Sequence, residues 1–568
     1  MYPLILGSAI AVLILLAILP GTGWLYRYQI KLLTNRSTDL IQILKDTGVR
    51  DLPGVDLDIK PEKEILDRAA IDNSYEEELS QALASPPGAQ IGLTLALANR
   101  SSGSERAEAL AHVLRLETLS TIHLRRDDEV SAYWGEPTSP YKTTAKEIPA
   151  EDLALFDQTA KEGERLEPDN AYFSMMRAMG QIAANRDAEG LDEIQLAGSK
   201  PRYEDYAMNE SKYRLTHLER RSGRQTSVES AMIMGSVLYP HYAQLRAMAR
   251  FASYKADQEE KSGRHVDGYP LRKAMMRCGS LMRAQSRSYI GSLVGIAIVP
   301  ISMRTTESVN GGMEAAAWKA LTQEQQAKRR EELDIAYLNR TGHANEIPWL
   351  TYELAAGSQA REIGKQGIML GPLGNNFLAA LLVTGGSAIV LLANAVELIL
   401  LSALMWLLKG NRSAEKIGIF VLSLLFLFVC IRMQWAPALA GIHQVIVNLS
   451  GDDATNNVSG TQQLLSNLLI SSPVVARGAA IVACLLGPMF TLCFLGLMRI
   501  ARGKQEESVL ASGLRKGGAV LSLLFVGLFV VAFTGALRLE NQQRSAQQRM
   551  IEGEGLYYAE VVGKPWPK

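Results

Sequence analysis

Two polar side chains interrupt a long apolar stretch in the C-terminal third of the chain. Asn394 and Glu397 lie within residues 377–408, where Glu397 carries the only charge. Because they are three residues apart, the two side chains would share one face of a helix. A carboxyl group inside a bilayer is costly and usually faces other helices or a water-filled path. The pair indicates either an ion or proton site, with Arg432 as a candidate partner, or a polar contact between helices.

Other residue types that carry chemistry are scattered. The seven histidines form no His-Glu-x-x-His pair, and the four cysteines form no Cys-x-x-Cys pair. The phosphate-binding Gly-x-x-x-x-Gly-Lys-Ser/Thr loop and the Gly-x-Ser-x-Gly elbow of hydrolases are also absent from the sequence. We therefore expect no cofactor, no metal site and no enzymatic activity.

The overall composition hides two unlike parts. The chain has 568 residues, 47% of them hydrophobic, with 59 basic and 59 acidic side chains. A net charge of zero argues against nucleic acid as a partner, because proteins that bind it usually carry a basic excess. The apolar residues are concentrated, however, in runs close to the roughly 20 residues that cross a bilayer as a helix.

These runs predict a membrane protein. We expect an N-terminal anchor at 1–26 that is retained rather than cleaved, since no Lys or Arg precedes its apolar run. A four-helix transmembrane bundle is predicted at 377–538, followed by a tail at 539–568. Its spans are predicted at about 385–408, 417–435, 478–498 and 517–537. Lipid offers no hydrogen-bond partner to the backbone, so each span should be an α-helix.

Basic loops predict the orientation. Lys409, Arg412 and Lys416 follow the first span of the bundle, and Arg515 and Lys516 precede the last. Such loops favour the cytoplasmic side. The tail and the large segment at 27–376 would then lie outside the cytoplasm, in the inner membrane of a bacterial cell.

One apolar segment leaves this orientation open. Residues 289–303 are short for a span, contain Pro300 and are flanked by arginines, which favours a buried core helix. If the segment did span the membrane, the large domain would instead be cytoplasmic. That placement would agree better with the basic residues just after the first helix, Arg27, Lys31 and Arg36.

The segment between the anchors reads as helical. Its apolar residues recur at three- and four-residue spacing, as at Leu110, Val113 and Leu114. Capping-box patterns begin at Ser74, Thr226 and Thr322. The predicted fold is therefore all-α throughout.

One stretch carries a recognisable signature. The sequence Leu-Glu-Pro-Asp-Asn-Ala is followed by a small residue, a polar turn and a proline, and spans 166–201. The signature residues are Pro168, Asp169, Asn170, Ala171, Ala178 and Pro201. This stretch resembles one tetratricopeptide repeat, although Asn185-Arg186-Asp187 stands where the family usually has Gly-Asp. The resemblance covers about 35 residues and implies a helical hairpin of a kind that usually binds proteins.

Together these patterns predict a multi-pass membrane protein whose helical domain scaffolds or recruits other envelope proteins. The alternative is a transporter or channel subunit that uses Asn394 and Glu397. Besides the lipid bilayer, we expect membrane or envelope proteins as partners, while the sequence leaves the oligomeric state open.

Overall fold

The computed structural model is helical wherever it describes the chain. It describes residues 2–19, 22–26, 74–364, 388–407 and 509–562, apart from gaps at 86, 125, 136–147, 223, 225–229, 231–236, 238 and 264. The helices in chain order are α1 (Tyr2–Ile18), α2 (Tyr75–Ala84), α3 (Pro87–Arg100), α4 (Gly103–Ser120), α5 (Asp127–Tyr133), α6 (Ala150–Leu166), α7 (Ala171–Ala183), α8 (Asp187–Ser199), α9 (Ala207–Ser222), α10 (Pro240–Lys261), α11 (His265–Gln285), α12 (Tyr289–Ser302), α13 (Ala315–Ala320), α14 (Gln323–Arg340), α15 (Ile347–Gly364), α16 (Ala388–Leu407) and α17 (Val509–Val562). The described residues contain no β-strand, so the all-α prediction is confirmed for them.

Sequence signals explain several helix ends. The capping box predicted at Thr322 is present, with reciprocal hydrogen bonds between Thr322 and Gln325 at the start of α14. Ser74 precedes α2 as predicted, but its side chain makes no capping bond. Thr226 lies outside the described residues. The sequence Ser101-Ser102-Gly103 predicts a break between helices. It separates α3 from α4, where Gly103 adopts a left-handed φ of 56°.

The chain divides into two units. The first comprises Met1–Leu57, Leu218–Met232 and Leu370–Gln547, and the second comprises Asp58–His217, Ile233–Met369 and Gln548–Lys568. In the first unit, α1, α16 and α17 share one apolar cluster that includes Leu13, Leu392 and Phe529. In the second, the main core joins α4, α6, α7, α8, α10 and α11 around Tyr172, Phe173 and Met275.

One helix of the first unit is long and apolar enough to cross a membrane. Within α17, Arg515–Gln542 is an apolar segment of 28 residues, or about 42 Å at 1.5 Å per residue. Tyr2–Ile18 and Leu398–Leu407 are shorter apolar helices. The predicted spans at 417–435 and 478–498 lie outside the described residues. The predicted four-helix bundle and N-terminal anchor therefore stay predictions.

The ambiguous segment at 289–303 forms α12, which packs inside the second unit. Gly295 lies so close to α11 that a Cβ there would fall 2.4 Å from the Arg283 backbone nitrogen. Gly357 of α15 approaches the same helix, where its Cβ would meet Ile296 at 2.9 Å. After α12 the chain bends by 113° into the 3-10 turn Thr306–Gly312. This burial favours the core-helix interpretation of the segment.

Candidate functional site

The predicted intramembrane pair lies on one described helix. Asn394 and Glu397 are in the middle of α16, three residues apart, while the details of their side chains and all of Arg432 fall outside the described residues. Further along α16, Ser402 donates a hydrogen bond to the Arg515 carbonyl of α17 at 3.1 Å. Gly518 faces the same serine, with its Cβ position 3.4 Å from Ser402 Cβ. Helices α16 and α17 therefore cross closely near the start of the long apolar segment.

The tetratricopeptide-like signature falls on a helical hairpin made by α7 and α8. Pro168 and Asp169 are exposed in the turn before α7, and Pro201 is exposed just after α8. Asn185 makes the turn between the two helices in a left-handed conformation with φ 59°. Ala178 is buried where the two helices meet. A Cβ atom at Gly190 of α8 would lie 3.1 Å from the carbonyl oxygen of Ala178. The family assignment itself stays a prediction.

Asn170 does more than begin a helix. Its side-chain oxygen accepts from the backbone N–H of Tyr172 at 3.1 Å, as an N-cap should, and also from the N–H of Glu204 at 3.0 Å. Its amide nitrogen donates to the Glu167 carboxylate at 2.8 Å and to the Glu204 carbonyl at 2.9 Å. A backbone bridge between Asn170 and Arg202 continues this contact. The fully buried Asn170 therefore holds residues 202–204, which follow α8, against the start of α7. We call this set of contacts the clamp.

The clamped segment is strained and carries a buried acid. Tyr206 has φ 58°, a left-handed conformation that is rare for a bulky residue. The Glu204 carboxylate accepts from the Tyr206 N–H at 3.0 Å, and Glu167 accepts from the Tyr206 hydroxyl. Between Glu204 and Tyr206 in the chain, Asp205 points into the core. Its carboxylate accepts a hydrogen bond from the Ala207 N–H at the start of α9, at 3.1 Å.

Asp205 is surrounded by donors. It accepts from the hydroxyls of Tyr242 at 2.6 Å and Tyr203 at 3.2 Å, and His241 Nε2 lies 3.3 Å away. Burial alone would raise the pKa of Asp205, but the interactions with His241, Tyr242 and Ala207 outweigh it and lower the pKa to about 2. The carboxylate is therefore ionised at neutral pH although it has almost no contact with water.

A second cluster lies beside the first. Glu210 on α9 pairs with Arg115 of α4 and with Arg214 one turn further along α9. His112 Nδ1 is 3.3 Å from the Arg115 guanidinium. Burial lowers the pKa of His112 well below its usual value, and the positive charge of Arg115 lowers it further. The Arg214 guanidinium also donates to the Leu83 carbonyl at 2.8 Å, so the cluster joins α2, α4 and α9.

These groups form what we call the polar network: His112, Arg115, Asp205, Glu210, Arg214 and His241. Its two carboxylates and two guanidinium groups balance in charge. Burial lowers the pKa of His241 below its usual value, although Asp205 opposes this shift. In the part of the chain that the structure describes, His241 hydrogen-bonds only to Asp205, and no three His, Cys, Asp or Glu residues form a metal site. The arrangement is suited to joining helices rather than to nucleophilic chemistry.

Comparisons with protein-family models, curated proteins and solved structures find no match. Functional conclusions about this chain therefore depend on its own residues.

Sequence reasoning missed the polar network because its members are far apart in the chain. The histidines were interpreted as scattered, yet His112 and His241 both lie in this one buried region. A local signal does exist: the Tyr-Pro-His-Tyr run at 239–242 and the Tyr-Glu-Asp-Tyr run at 203–206 each place an ionisable group between aromatic residues. Aromatic neighbours favour burial, and a buried polar group needs a hydrogen-bond partner from elsewhere in the fold.

The basic residues of α11 correct a sequence interpretation. Charges at helical spacing usually mark a solvated face, and a face that meets anionic lipid or a partner is the less common alternative. Instead, Arg272 is buried and donates to Glu260 at 2.8 Å and to the carbonyls of Ser302 at 2.9 Å and Arg304 at 2.7 Å. Arg283 is equally buried and pairs with Glu353 of α15 at 2.8 Å. Both charges are therefore internal, and Arg272 binds the C-terminal end of α12.

Proposed function

We propose that the chain is a multi-pass membrane protein whose helical domain binds other proteins at the cell envelope. The main support for a membrane-spanning chain is the exposed apolar surface of α17. Leu524, Leu528 and Val531 are 55%, 47% and 72% exposed within the segment Arg515–Gln542. Contiguous exposed apolar surface of this kind marks a membrane or protein contact. A bilayer fits best, because the segment exceeds the roughly 30 Å of its hydrocarbon layer.

The proposed role of the domain is supported by its interior and by one part of its surface. The polar network and the two buried arginines of α11 link helices to each other, and α8 of the hairpin presents exposed carboxylates at Glu189 and Asp192. Arg177 of α7 joins the hairpin to α6, because it lies within 3.3 Å of Asp157 and 3.2 Å of Glu164, and it also lies 2.6 Å from Glu193 of α8. Together with the resemblance to a protein-binding repeat, this favours a scaffold in the envelope of a bacterial cell. The basic loops favour an extracytoplasmic domain.

Membrane insertion is testable with one substitution. Val531→Arg places a charge in the middle of the apolar segment, where insertion scales assign a cost of about 2.5–3.5 kcal/mol. Because the other predicted spans would still hold the chain in the membrane, the readout is the side of the C-terminal tail. We expect a reporter fused after α17 to move from the extracytoplasmic side to the cytoplasmic side in Val531→Arg. Gln542→Arg, at the end of the same segment, is the matched control and should behave as wild type. The same reporter side in both variants would contradict the assignment of α17 as a span.

Partner binding is tested by crosslinking in intact cells before purification in mild detergent. The scaffold proposal expects a stoichiometric second protein whose recovery falls when Glu189 and Asp192, which are exposed on α8 of the hairpin, are both changed to lysine. Recovery of the chain alone, with and without the substitutions, would remove the main support for scaffolding.

Transport is the second candidate, and its support is the position of Asn394 and Glu397 on α16. The two residues share one helix face, and Ala395 and Leu398 beside them are buried in the described part. Under this alternative, Glu397→Gln leaves assembly intact and abolishes ion or proton movement in proteoliposomes. Absence of flux in the wild-type protein would count against it.

A further inference from the structure

Three distant chain segments meet in a polar layer of the first unit, which we define as Trp24, Glu219, Arg224, Asn541 and Arg544. The guanidinium carbon of Arg224 lies 4.4 Å from the centroid of the Trp24 ring. The same guanidinium donates to the Asn541 side-chain oxygen at 2.7 Å. Arg544 pairs with Glu219 at 2.5 Å. The layer thus joins the segment after α1, the region at the end of α9, and α17.

The position of the layer along α17 is specific. Directly on its apolar side, Tyr26 packs edge-on against Phe529 and Phe533, with ring centroids 6.1 Å and 6.4 Å apart. Asn541 lies at one end of the apolar segment Arg515–Gln542 and Arg544 just beyond it, while Arg515 marks the opposite end. Asn541 follows Arg515 by 26 positions, which corresponds to about 39 Å of helix. This length matches the hydrocarbon layer together with part of its two interfaces.

The chemistry of the layer suits a membrane surface. A tryptophan ring stacked on a guanidinium combines an apolar body with a charged group, which is the preferred character of residues at the level of lipid headgroups. Glu219 and Arg544 are both partly exposed, and they could not remain charged and solvated within hydrocarbon. Below the layer the contacts are aromatic and apolar, as expected inside the bilayer.

We infer that the polar layer lies among the lipid headgroups on one side of the membrane and that Lys516 lies on the other side. This inference rests on the proposed membrane function and goes beyond it, because it puts residues 22–26, 218–224 and 541–544 on one side. The basic pair Arg515-Lys516 then marks the cytoplasmic side, and the polar layer faces away from it.

The inference also decides between the two interpretations of α12 by parity. The chain must cross the membrane an odd number of times between Arg224 and Lys516. Helix α16 and the predicted spans at 417–435 and 478–498 supply three crossings. A fourth crossing by α12 would return Lys516 to the side of Arg224. Helix α12 is therefore a core helix if the other three segments are spans.

The test is the side from which single cysteines react. In a cysteine-free full-length protein, Thr22→Cys, Gln542→Cys and Lys516→Cys are each exposed on intact spheroplasts to a membrane-impermeant maleimide. We expect the first two to react before permeabilisation and Lys516→Cys only afterwards. Labelling of Thr22→Cys and Gln542→Cys from opposite sides would overturn the inference. Labelling of Lys516→Cys from the same side as Thr22→Cys and Gln542→Cys would also overturn the inference.

A second measurement covers the case in which the cysteine-free protein does not fold. Reporters that are active only in the cytoplasm, fused separately at Lys516 and at Gln542 of the otherwise native chain, should give opposite readings. Equal readings would overturn the inference even if the protein remains in the membrane after carbonate extraction. Loss of the wild-type chain from the membrane fraction would instead refute the proposed membrane function itself.

The contact between Arg224 and Asn541 within the polar layer can be tested separately by crosslinking. Arg224→Cys combined with Asn541→Cys should be joined by a short bifunctional maleimide and be detected as one crosslinked peptide pair. Arg224→Cys with Lys516→Cys is the matched control and should give no crosslink. A crosslink in the control pair, or none in the first pair when each cysteine reacts singly, would contradict the layer.

Discussion

Replacement of Asn170 separates a local helix cap from a clamp between two chain segments. At an ordinary N-cap, aspartate and asparagine are almost equivalent, because only a side-chain oxygen is needed. Asn170 also uses both amide hydrogens, toward Glu167 and the Glu204 carbonyl. Asn170→Asp would keep the two accepted bonds, lose the two donated ones and place a carboxylate against these acceptors. We therefore expect aspartate to fail here.

The magnitude follows from these four bonds. A typical hydrogen bond contributes about 1 kcal/mol, and a buried group left without a partner costs about 1–3 kcal/mol. Asn170→Ala removes the cap and leaves the Glu204 backbone groups without this partner, so we expect a loss of about 3–4 kcal/mol in the free energy of unfolding. Asn170→Asp should lose about 2–3 kcal/mol for the donated bonds and the repulsion.

The assay is urea unfolding of the full-length protein in mild detergent, together with hydrogen exchange of the peptide that contains residues 202–207. Both variants should speed exchange in that peptide, because Asn170 holds its backbone. Thr322→Ala is the matched control: it removes an exposed cap with only local partners and should cost about 1 kcal/mol. Wild-type stability of Asn170→Asp, with residues 202–207 still protected, would refute the clamp.

Three further predictions concern the same domain. Glu353→Gln leaves the Arg283 charge buried without its counterion, so a loss of about 3–5 kcal/mol is expected in urea unfolding, and Gln359→Glu on the exposed side of α15 should have little effect. Gly295→Ala forces α12 away from α11 and should cost about 1–3 kcal/mol, detected as a lower unfolding midpoint. His112 is neutral in the folded state because burial lowers its pKa, so the unfolded state takes up its proton first as the pH falls. The stabilisation from the neutral His112 should be complete above about pH 6.5 and should decline below it, by at most about 1.4 kcal/mol per pH unit. The free energies of unfolding of wild type and His112→Asn, measured against pH, should therefore diverge below that pH. Parallel curves would contradict a neutral His112 in the folded state.

Local signals in the sequence predicted the helices well. The break before Gly103, the cap at Thr322 and the turn after Ala178 depend on neighbours within a few residues, and all three lie where the pattern placed them. The interior of the domain could not be predicted in this way. Asp205 obtains its donors from α10, and Arg283 obtains its counterion from a helix 70 positions later. Charge spacing alone made Arg272 and Arg283 look like a solvated face.

The same limit applies to the candidate sites. The hairpin was predicted because its turn and helix starts are local, whereas the second role of Asn170 depends on Glu204, 34 residues away. The burial of the Cys278 thiol could not be predicted from the sequence either. Cys278 is fully buried and burial raises the pKa of its thiol to about 12, so a thiol reagent would not react with it in the folded domain.

The polar contacts of the domain have a consequence for how it folds. In an array of helical repeats each unit touches only its neighbours, so truncated arrays remain folded and melt in stages. Here Arg214 reaches a carbonyl 131 positions away, Tyr254 reaches Glu129 across 125, and Tyr172 reaches Ala111 across 61. Removal of α2, which carries Leu83, or of α5, which carries Glu129, would therefore break such a connection. The domain should therefore unfold in a single cooperative transition, and partial fragments of it should be degraded rather than retain a shortened solenoid.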